Sequence, residues 1–176
     1  MSEILVISDS HGDRSIVEEV RDRYKGKVDF LFHNGDSEIS PGDPLWKDFY
    51  VVGGNVDFSG FSDEHLVNVG KEVAFQTHGH LFGVKFDMNH LWLAAYERGA
   101  SISLFGHTHQ IYCEQHKGIL FLNPGSISYF RGHIREKTYA LLDFQDKITK
   151  VQYYNRSHEP LKELQFEFQR RGATNE

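Results

Sequence analysis

Seven side chains able to hold a divalent cation recur along this chain at one kind of place. Asp9, His11, Asp36, Asn55, His78, His107 and His109 each stand where an apolar run gives way to a glycine-containing turn. Apolar runs that end abruptly in this way read as strands leaving a buried sheet, and in open α/β sheets ligands bind beyond the carboxyl ends of the strands. A mixture of carboxylate, amide and imidazole donors suits manganese, iron, nickel, cobalt or zinc rather than calcium, which takes oxygen ligands. Seven donors are too many for one ion of ordinary coordination. Two ions sharing one carboxylate is the economical arrangement, and Asp36 is its natural bridge. No single pair carries this reading, because an isolated Asp-x-His is more often a helix cap beside a surface histidine.

The elements that must position these groups follow from the hydrophobic pattern. Residues 4–7 are aliphatic and strand-like, and in an extended segment Asp9 and His11 would face the same side. Ile16, Val17, Val20 and Tyr24 fall at helical spacing among charges, and Gly26 closes that helix. Residues 28–33 form a second apolar run leading into Asn34-Gly35-Asp36. The β-α-β order implies a parallel pair with a right-handed crossover, which puts Asp36 beside Asp9 and His11. A proline-containing loop follows, then a third strand over 48–52, ending in Gly53-Gly54-Asn55-Val56-Asp57.

Beyond this point strands predominate. Residues 64–69 and 72–77, joined at Gly70-Lys71, read as a hairpin running into His78-Gly79-His80. Residues 86–98 read as a helix capped by Gly99, and 101–105 as a buried strand ending in Gly106-His107-Thr108-His109. The remainder reads as antiparallel, with strands at 110–115, 118–122, 139–144 and 148–154. Asn123-Pro124-Gly125-Ser126 interrupts them as a rigid turn. The whole of 1–176 reads as one domain, with 155–176 a polar tail to which the pattern assigns no element.

Composition narrows the possibilities. The net charge of −6, from 25 acidic and 19 basic residues, argues against general electrostatic binding to nucleic acid, so no stable nucleic-acid complex is expected. The single cysteine, Cys113, cannot form an intrachain disulfide, which fits a reducing, cytoplasmic setting. No apolar run approaches the roughly 20 residues of a membrane span, and the amino terminus shows no signal-like core. A homo-oligomer stays open.

The order Asp-x-His, Gly-Asp, Gly-Asn-x-Asp, His, Gly-His-x-His resembles the calcineurin-like metallophosphoesterase family over nearly the whole chain to about Tyr154. The short length and the Asn-Pro-Gly-Ser turn are similar to its small prokaryotic branch, the YfcE-type phosphodiesterases. The resemblance implies a four-layer α/β/β/α sandwich of two mixed sheets. It implies a first metal held by Asp9, His11, Asp36 and His109, and a second held by Asp36, Asn55, His78 and His107. Two divalent ions, manganese first, with nickel, iron, cobalt, zinc or magnesium as alternatives, would then clamp a small phosphodiester. A metal-bridging hydroxide would attack phosphorus in line. The alternatives are a phosphomonoesterase or nucleotidase on the same site, and a non-catalytic scaffold like the eukaryotic retromer subunit of this fold.

One departure bears on substrate. Many members carry a His after the Gly-Asn asparagine, where this chain has Val56. Esters with an already stabilised leaving group should therefore react best. His80 is the candidate substitute acid, and Asp57 is expected to support the ligand loop through hydrogen bonds. His33, inside a strand, reads as a packed or hydrogen-bonded residue, and Cys113 as a partly buried strand residue with no nucleophilic role. Arg131, His133 and Arg135 could steer phosphate, although a solvated hairpin accounts for them as well. Phe82, Phe86, Trp92 and Tyr96 could flank a nucleobase or pack a helix onto its sheet.

Overall fold

The computed structural model describes residues 1–170. Strand β1 (Ser2–Ile7) runs into helix α1 (Arg14–Tyr24), whose amino end is capped by the Asp13 carboxylate accepting the Ile16 N–H. Strand β2 (Phe30–His33) then returns parallel to β1, with Val6 opposite Phe32 and Ile7 opposite His33. Next come β3 (Tyr50–Val51), β4 (Glu64–Val69) and β5 (Glu72–Thr77), helix α2 (Asn89–Glu97), β6 (Ile102–Leu104), β7 (Ile111–His116) and β8 (Ile119–Pro124). Strands β9 (Thr138–Phe144), β10 (Ile148–Asn155) and β11 (Pro160–Gln169) follow within the described residues.

These strands form two mixed sheets, one ordered β11-β10-β9-β1-β2-β3 and the other β4-β5-β6-β8-β7. The strand period of two explains the layering. From β1, Ile4 and Val6 enter the core between the sheets with Val67, Ile102, Leu104 and Leu122. Leu5 and Ile7 point the other way, onto Ile16, Val17 and Val20 of α1. On the far side Phe75 and Phe121 meet Leu91, Ala94 and Ala95 of α2. The result is the four-layer α/β/β/α sandwich. With both faces covered, β1 reads as a continuous apolar run rather than an alternating one.

The structure departs from the sequence reading in five places. The third strand is only Tyr50–Val51, because Pro44–Asp48 forms a 3₁₀ turn capped by Asp43. The second helix is Asn89–Glu97, shorter than 86–98 at its amino end. Asn123 and Pro124 belong to β8 rather than to a turn; Pro124 pairs with Ile111, two residues past the last β6 pair, Leu104 with Leu122. The later strands are not one antiparallel set, since β8 lies parallel to β6 and β9 crosses back to lie antiparallel to β1. The tail carries a ten-residue edge strand, β11, on which Leu164, Phe166 and Phe168 pack against the inter-sheet core while charged and amide residues between them face solvent. The part of the tail at 171–176 lies outside the described residues. Among the described residues no helix is long and apolar enough to cross a membrane.

Candidate metal centre

Four strand ends from the two sheets meet at one edge. The β1–β2 ladder continues past both strands: the N–H groups of Asp9, His11 and Gly12 donate to the carbonyls of Gly35, Asp36 and Ser37 at 3.0, 3.0 and 2.7 Å. From the second sheet, β5 delivers His78 and β6 delivers His107 and His109. Two donor groups result, Asp9 with His11 and His109, and Asp36 with His78 and His107. Within each, the donor atoms lie within 4.8 Å of one another.

The first group is close-set. His109 Nε2 is 3.2 Å from Asp9 Oδ1 and 3.0 Å from His11 Nε2. In the second, His78 Nε2 is 3.1 Å from Asp36 Oδ2. Asp9 Oδ1 and His78 Nε2 are nevertheless fully buried without an aligned hydrogen-bond partner. A buried polar atom left in this state is costly, and a cation in each donor group would satisfy them. The donors thus fit a divalent metal site, with oxygen and nitrogen ligands of the intermediate class.

Backbone strain gathers at the same residues. Asp9, His11, Asp36, His107 and His109 adopt φ values of 54°, 45°, 53°, 71° and 59°, the left-handed region that L-residues avoid. Each costs roughly 1–2 kcal/mol relative to a right-handed conformation, so the surrounding contacts must hold them.

Those contacts can be named. Asp57 accepts the N–H groups of Asp36 (2.7 Å), Gly54 (2.7 Å) and Glu38 (2.8 Å), and the Ser37 hydroxyl at 3.3 Å. Gly54 itself is required, since a Cβ there would collide with the Asp36 carboxylate. Gly106 is required likewise, against Ser8 and Asp9. The Val56 N–H donates to Asp36 Oδ1 at 3.1 Å, so the turn holding Asn55 wraps Asp36, with Asn55 itself exposed. The Ser126 hydroxyl donates to the Asp9 carbonyl (2.7 Å) and the Ser128 hydroxyl to that of Ser10 (2.8 Å). The Asn123 side-chain amide donates to the Gly106 carbonyl at 2.9 Å.

Electrostatics follow from this burial. Desolvation works to raise Asp36, but the adjoining His78 overrides it and holds the carboxyl at about 2. Asp9 is likewise lowered against its burial, by His109 and His78. Burial would lower His78, yet Asp36 and Asp9 raise it. His107 is pushed down to about 4, first by burial, then by His78 and by the nearby Lys85 ammonium.

Other residues singled out by sequence fall in varied places. His80 begins a short 3₁₀ turn, with its ring centroid 5.3 Å from that of His78, its Nδ1 buried without a partner and its pKa lowered by burial and by His78. His33 is buried, its Nε2 2.9 Å from the Ser10 hydroxyl and its Nδ1 accepting the Gly35 N–H. Cys113 is half-buried on β7, its thiol pushed up to about 12 by burial. The Arg131 N–H donates to the His109 carbonyl at 3.0 Å, while His133 and Arg135 are exposed. Phe82 packs edge-on against Phe75, and Trp92 stacks on Tyr96, so these serve packing.

Sequence reasoning missed Glu38, whose Oε1 is 2.8 Å from His11 Nδ1. The signal was present: Glu38 follows Asp36 by two residues, as His11 follows Asp9. It also missed Asn123, Ser126 and Ser128 as clamps, because their partners are backbone carbonyls distant in sequence.

A sandwich of two mixed sheets with two acid–imidazole groups at one edge defines a metal-dependent phosphoesterase. The calcineurin-like phosphoesterase superfamily domain matches residues 2–147, and this chain belongs to that superfamily. It is a hydrolase acting on phosphoesters. A probable metallophosphoesterase, YsnB of Bacillus subtilis strain 168, is 37% identical over 163 residues, covering 92% of this chain and 96% of that protein. The crystal structure of a predicted phosphoesterase from Streptococcus pneumoniae TIGR4 superposes with a TM-score of 0.94 at 49% identity, over 96% of this chain and 98% of that one. YfcE, a phosphoesterase from E. coli, shares the fold at a TM-score of 0.66 and 23% identity, covering 93% and 98% of the two chains.

Proposed function

We propose that this chain is a phosphodiesterase that works with two divalent ions, manganese preferred, on small phosphodiesters in the cytoplasm. The observation that carries the reading is the pair of donor groups with Asp9 Oδ1 and His78 Nε2 buried and unmatched. Asp9, His11, Asp36 and His109 would hold one ion, and Asp36, Asn55, His78 and His107 the other, with Asp36 shared. Bound there, the ions would activate a water for in-line displacement at phosphorus and offset the charge growing on the phosphoryl oxygens.

The chain's own residues set the rest. Glu38 fixes the His11 ring by taking Nδ1, which leaves Nε2 to face the centre. The Asn34 carbonyl, 2.7 Å from His78 Nδ1, does the same for His78. With Val56 where an acid often stands, His80, its ring 5.3 Å from that of His78, would be the group to steady the departing oxygen. Its lowered pKa makes it a neutral N–H donor at pH 7 rather than a standing acid. Diesters with stabilised leaving groups should therefore be turned over best.

The test is hydrolysis of bis-p-nitrophenyl phosphate and p-nitrophenyl phosphate, side by side, after metal removal and readdition of manganese, nickel, magnesium or zinc. Metal-dependent cleavage of the diester well above the monoester, abolished in Asp36→Asn, supports the proposal. Preferred cleavage of the monoester would replace it with a phosphatase, and no turnover despite two bound ions would replace it with an interaction scaffold.

A further inference from the structure

A cavity of about 540 Å³ opens beside the metal centre, and nothing in the chemistry above uses it. That size suits a small-molecule arm rather than an ion or a macromolecule. Phe105 and Thr108 form part of its wall, and Thr108 stands between His107 and His109, so cavity and centre share one loop. Arg131, also in the wall, is tied to the same loop by its N–H bond to the His109 carbonyl. Lys85, also in the lining, lies near enough to His107 for its charge to act there.

The lining has a consistent chemistry. Phe86 is 91% exposed, a large ring held in water at the cavity's edge. Tyr112 offers a second ring, its hydroxyl tied to Glu114 at 2.9 Å. In a chain of net charge −6, this cavity carries two cations against one carboxylate, Asp87, and that carboxylate already accepts the Asn89 N–H at 2.9 Å. Rings beside cations that no carboxylate pairs with among the described residues suit a planar aromatic group that bears negative charge.

We infer that this cavity receives the retained arm of a phosphodiester, a nucleoside whose base lies against Phe86 and Tyr112 while Lys85 and Arg131 face its phosphate. The inference rests on the phosphodiesterase reading and narrows it to nucleotide diesters. In the reaction water loses a proton to solvent as its oxygen bonds to phosphorus, and the leaving alkoxide or phenolate departs with the bonding pair of its P–O bond. The nucleoside stays on the phosphate and remains in the cavity until release.

The experiment compares two diesters with the same leaving group on the manganese-loaded full chain: thymidine 5′-phosphate p-nitrophenyl ester and methyl p-nitrophenyl phosphate. The expected result is a kcat/KM ratio favouring the nucleoside diester by about tenfold, falling toward one in Phe86→Ala and in Lys85→Ala. A ratio near one in the wild type, or one unchanged in both variants while p-nitrophenolate is still released, overturns the cavity assignment and leaves the phosphodiesterase reading intact. Calorimetric titration with thymidine 5′-monophosphate and with methyl phosphate decides the matter without turnover. About tenfold tighter binding of the nucleotide, lost in Phe86→Ala, supports the cavity even if no diester is cleaved; equal affinities overturn it.

Discussion

His11 Nδ1 and Glu38 Oε1 lie 2.8 Å apart across the β1–β2 edge, and both residues have left-handed backbones. A carboxylate in this position fixes which imidazole nitrogen faces the candidate metal and raises its basicity. Glu38→Ala should therefore weaken binding at the Asp9–His11–His109 group by about 10- to 100-fold. Glu38→Gly, which relieves the positive φ, should lose affinity equally while its apoprotein is the more stable of the two variants. Metal-competition titrations with a fluorescent chelator, alongside urea unfolding of the apoproteins, would separate these effects.

Asp57 acts on the other group. Its carboxylate takes three backbone N–H groups and one hydroxyl from the loops that carry Asp36 and Asn55. Asp57→Ala leaves these donors without their acceptor, and the apoprotein should lose about 2–4 kcal/mol. Metal analysis should show the variant holding less than the two ions proposed for the wild type. An unchanged urea midpoint would rule out this role.

The donor set was legible because each member ends an apolar run, and strand ends in an α/β protein converge on one edge. The supports were less so. Asp57 could be suspected from its place two residues after Asn55, but Ser126 and Ser128 reach the carbonyls of Asp9 and Ser10 from more than 100 positions away. Such partners depend on which strands become neighbours, and no local pattern encodes that. Strand β11 was missed for a different reason: only one of its edges is paired and only one face is half-covered, so Phe166 and Phe168 alternate with Glu and Gln in what reads as a polar tail. Pro124 misled in the opposite direction, since a proline followed by glycine usually marks a turn, whereas here it is the last residue of a central strand.

Asp36 and His78 give the metal-free protein a pH signature. Asp36 is held at about 2, so its contribution is present above the unfolded carboxyl pKa near 3.9 and is lost as pH falls toward 2. His78 is raised, so its contribution is present below the unfolded imidazole pKa near 6.5 and is lost as pH rises through the higher folded value. His107 and the buried His33, both held at about 4, work the other way, contributing stability above the unfolded imidazole value that is lost as pH falls through 4. The His78 contribution is therefore read as a difference: without metal, the melting-temperature advantage of the wild type over His78→Gln should be present below about pH 6.5 and fade as pH rises. Added manganese should raise the wild-type melting temperature most above pH 7, where the imidazoles are neutral and free to ligate. A wild-type advantage that grows steadily from pH 6 to 9 would contradict this account.

Strand β11 should matter to stability and not to the centre. Phe166 lies opposite Val151 and meets Tyr153 edge-on at 6.2 Å, with the inter-sheet core beneath. Phe166→Ala removes a partly buried ring, so a loss of about 1–3 kcal/mol is expected, below the range for a fully buried phenylalanine. Urea unfolding would measure it, and the metal stoichiometry of the variant should equal that of the wild type.

Ser126 tests whether the strained backbone of Asp9 is held from the opposite sheet. Its hydroxyl donates to the Asp9 carbonyl at 2.7 Å and accepts the N–H groups of Ser128 and Tyr129 at 3.1 and 2.8 Å, fully buried. Ser126→Ala leaves all three backbone groups short of a partner, which should cost about 2–3 kcal/mol. Part of that loss can be recovered if Asp9 relaxes from its φ of 54°, and relaxation would carry its carboxylate away from His11 and His109. Affinity should then fall at the Asp9 group and hold at the Asp36 group, which has its own support in Asp57. Metal titration of Ser126→Ala beside Asp57→Ala reads this directly: Ser126→Ala should weaken the Asp9 group selectively, whereas Asp57→Ala, which frees the shared Asp36 and the Glu38 that fixes His11, should weaken both, and a Ser126→Ala variant that weakens both groups alike would mean that the loops move as one.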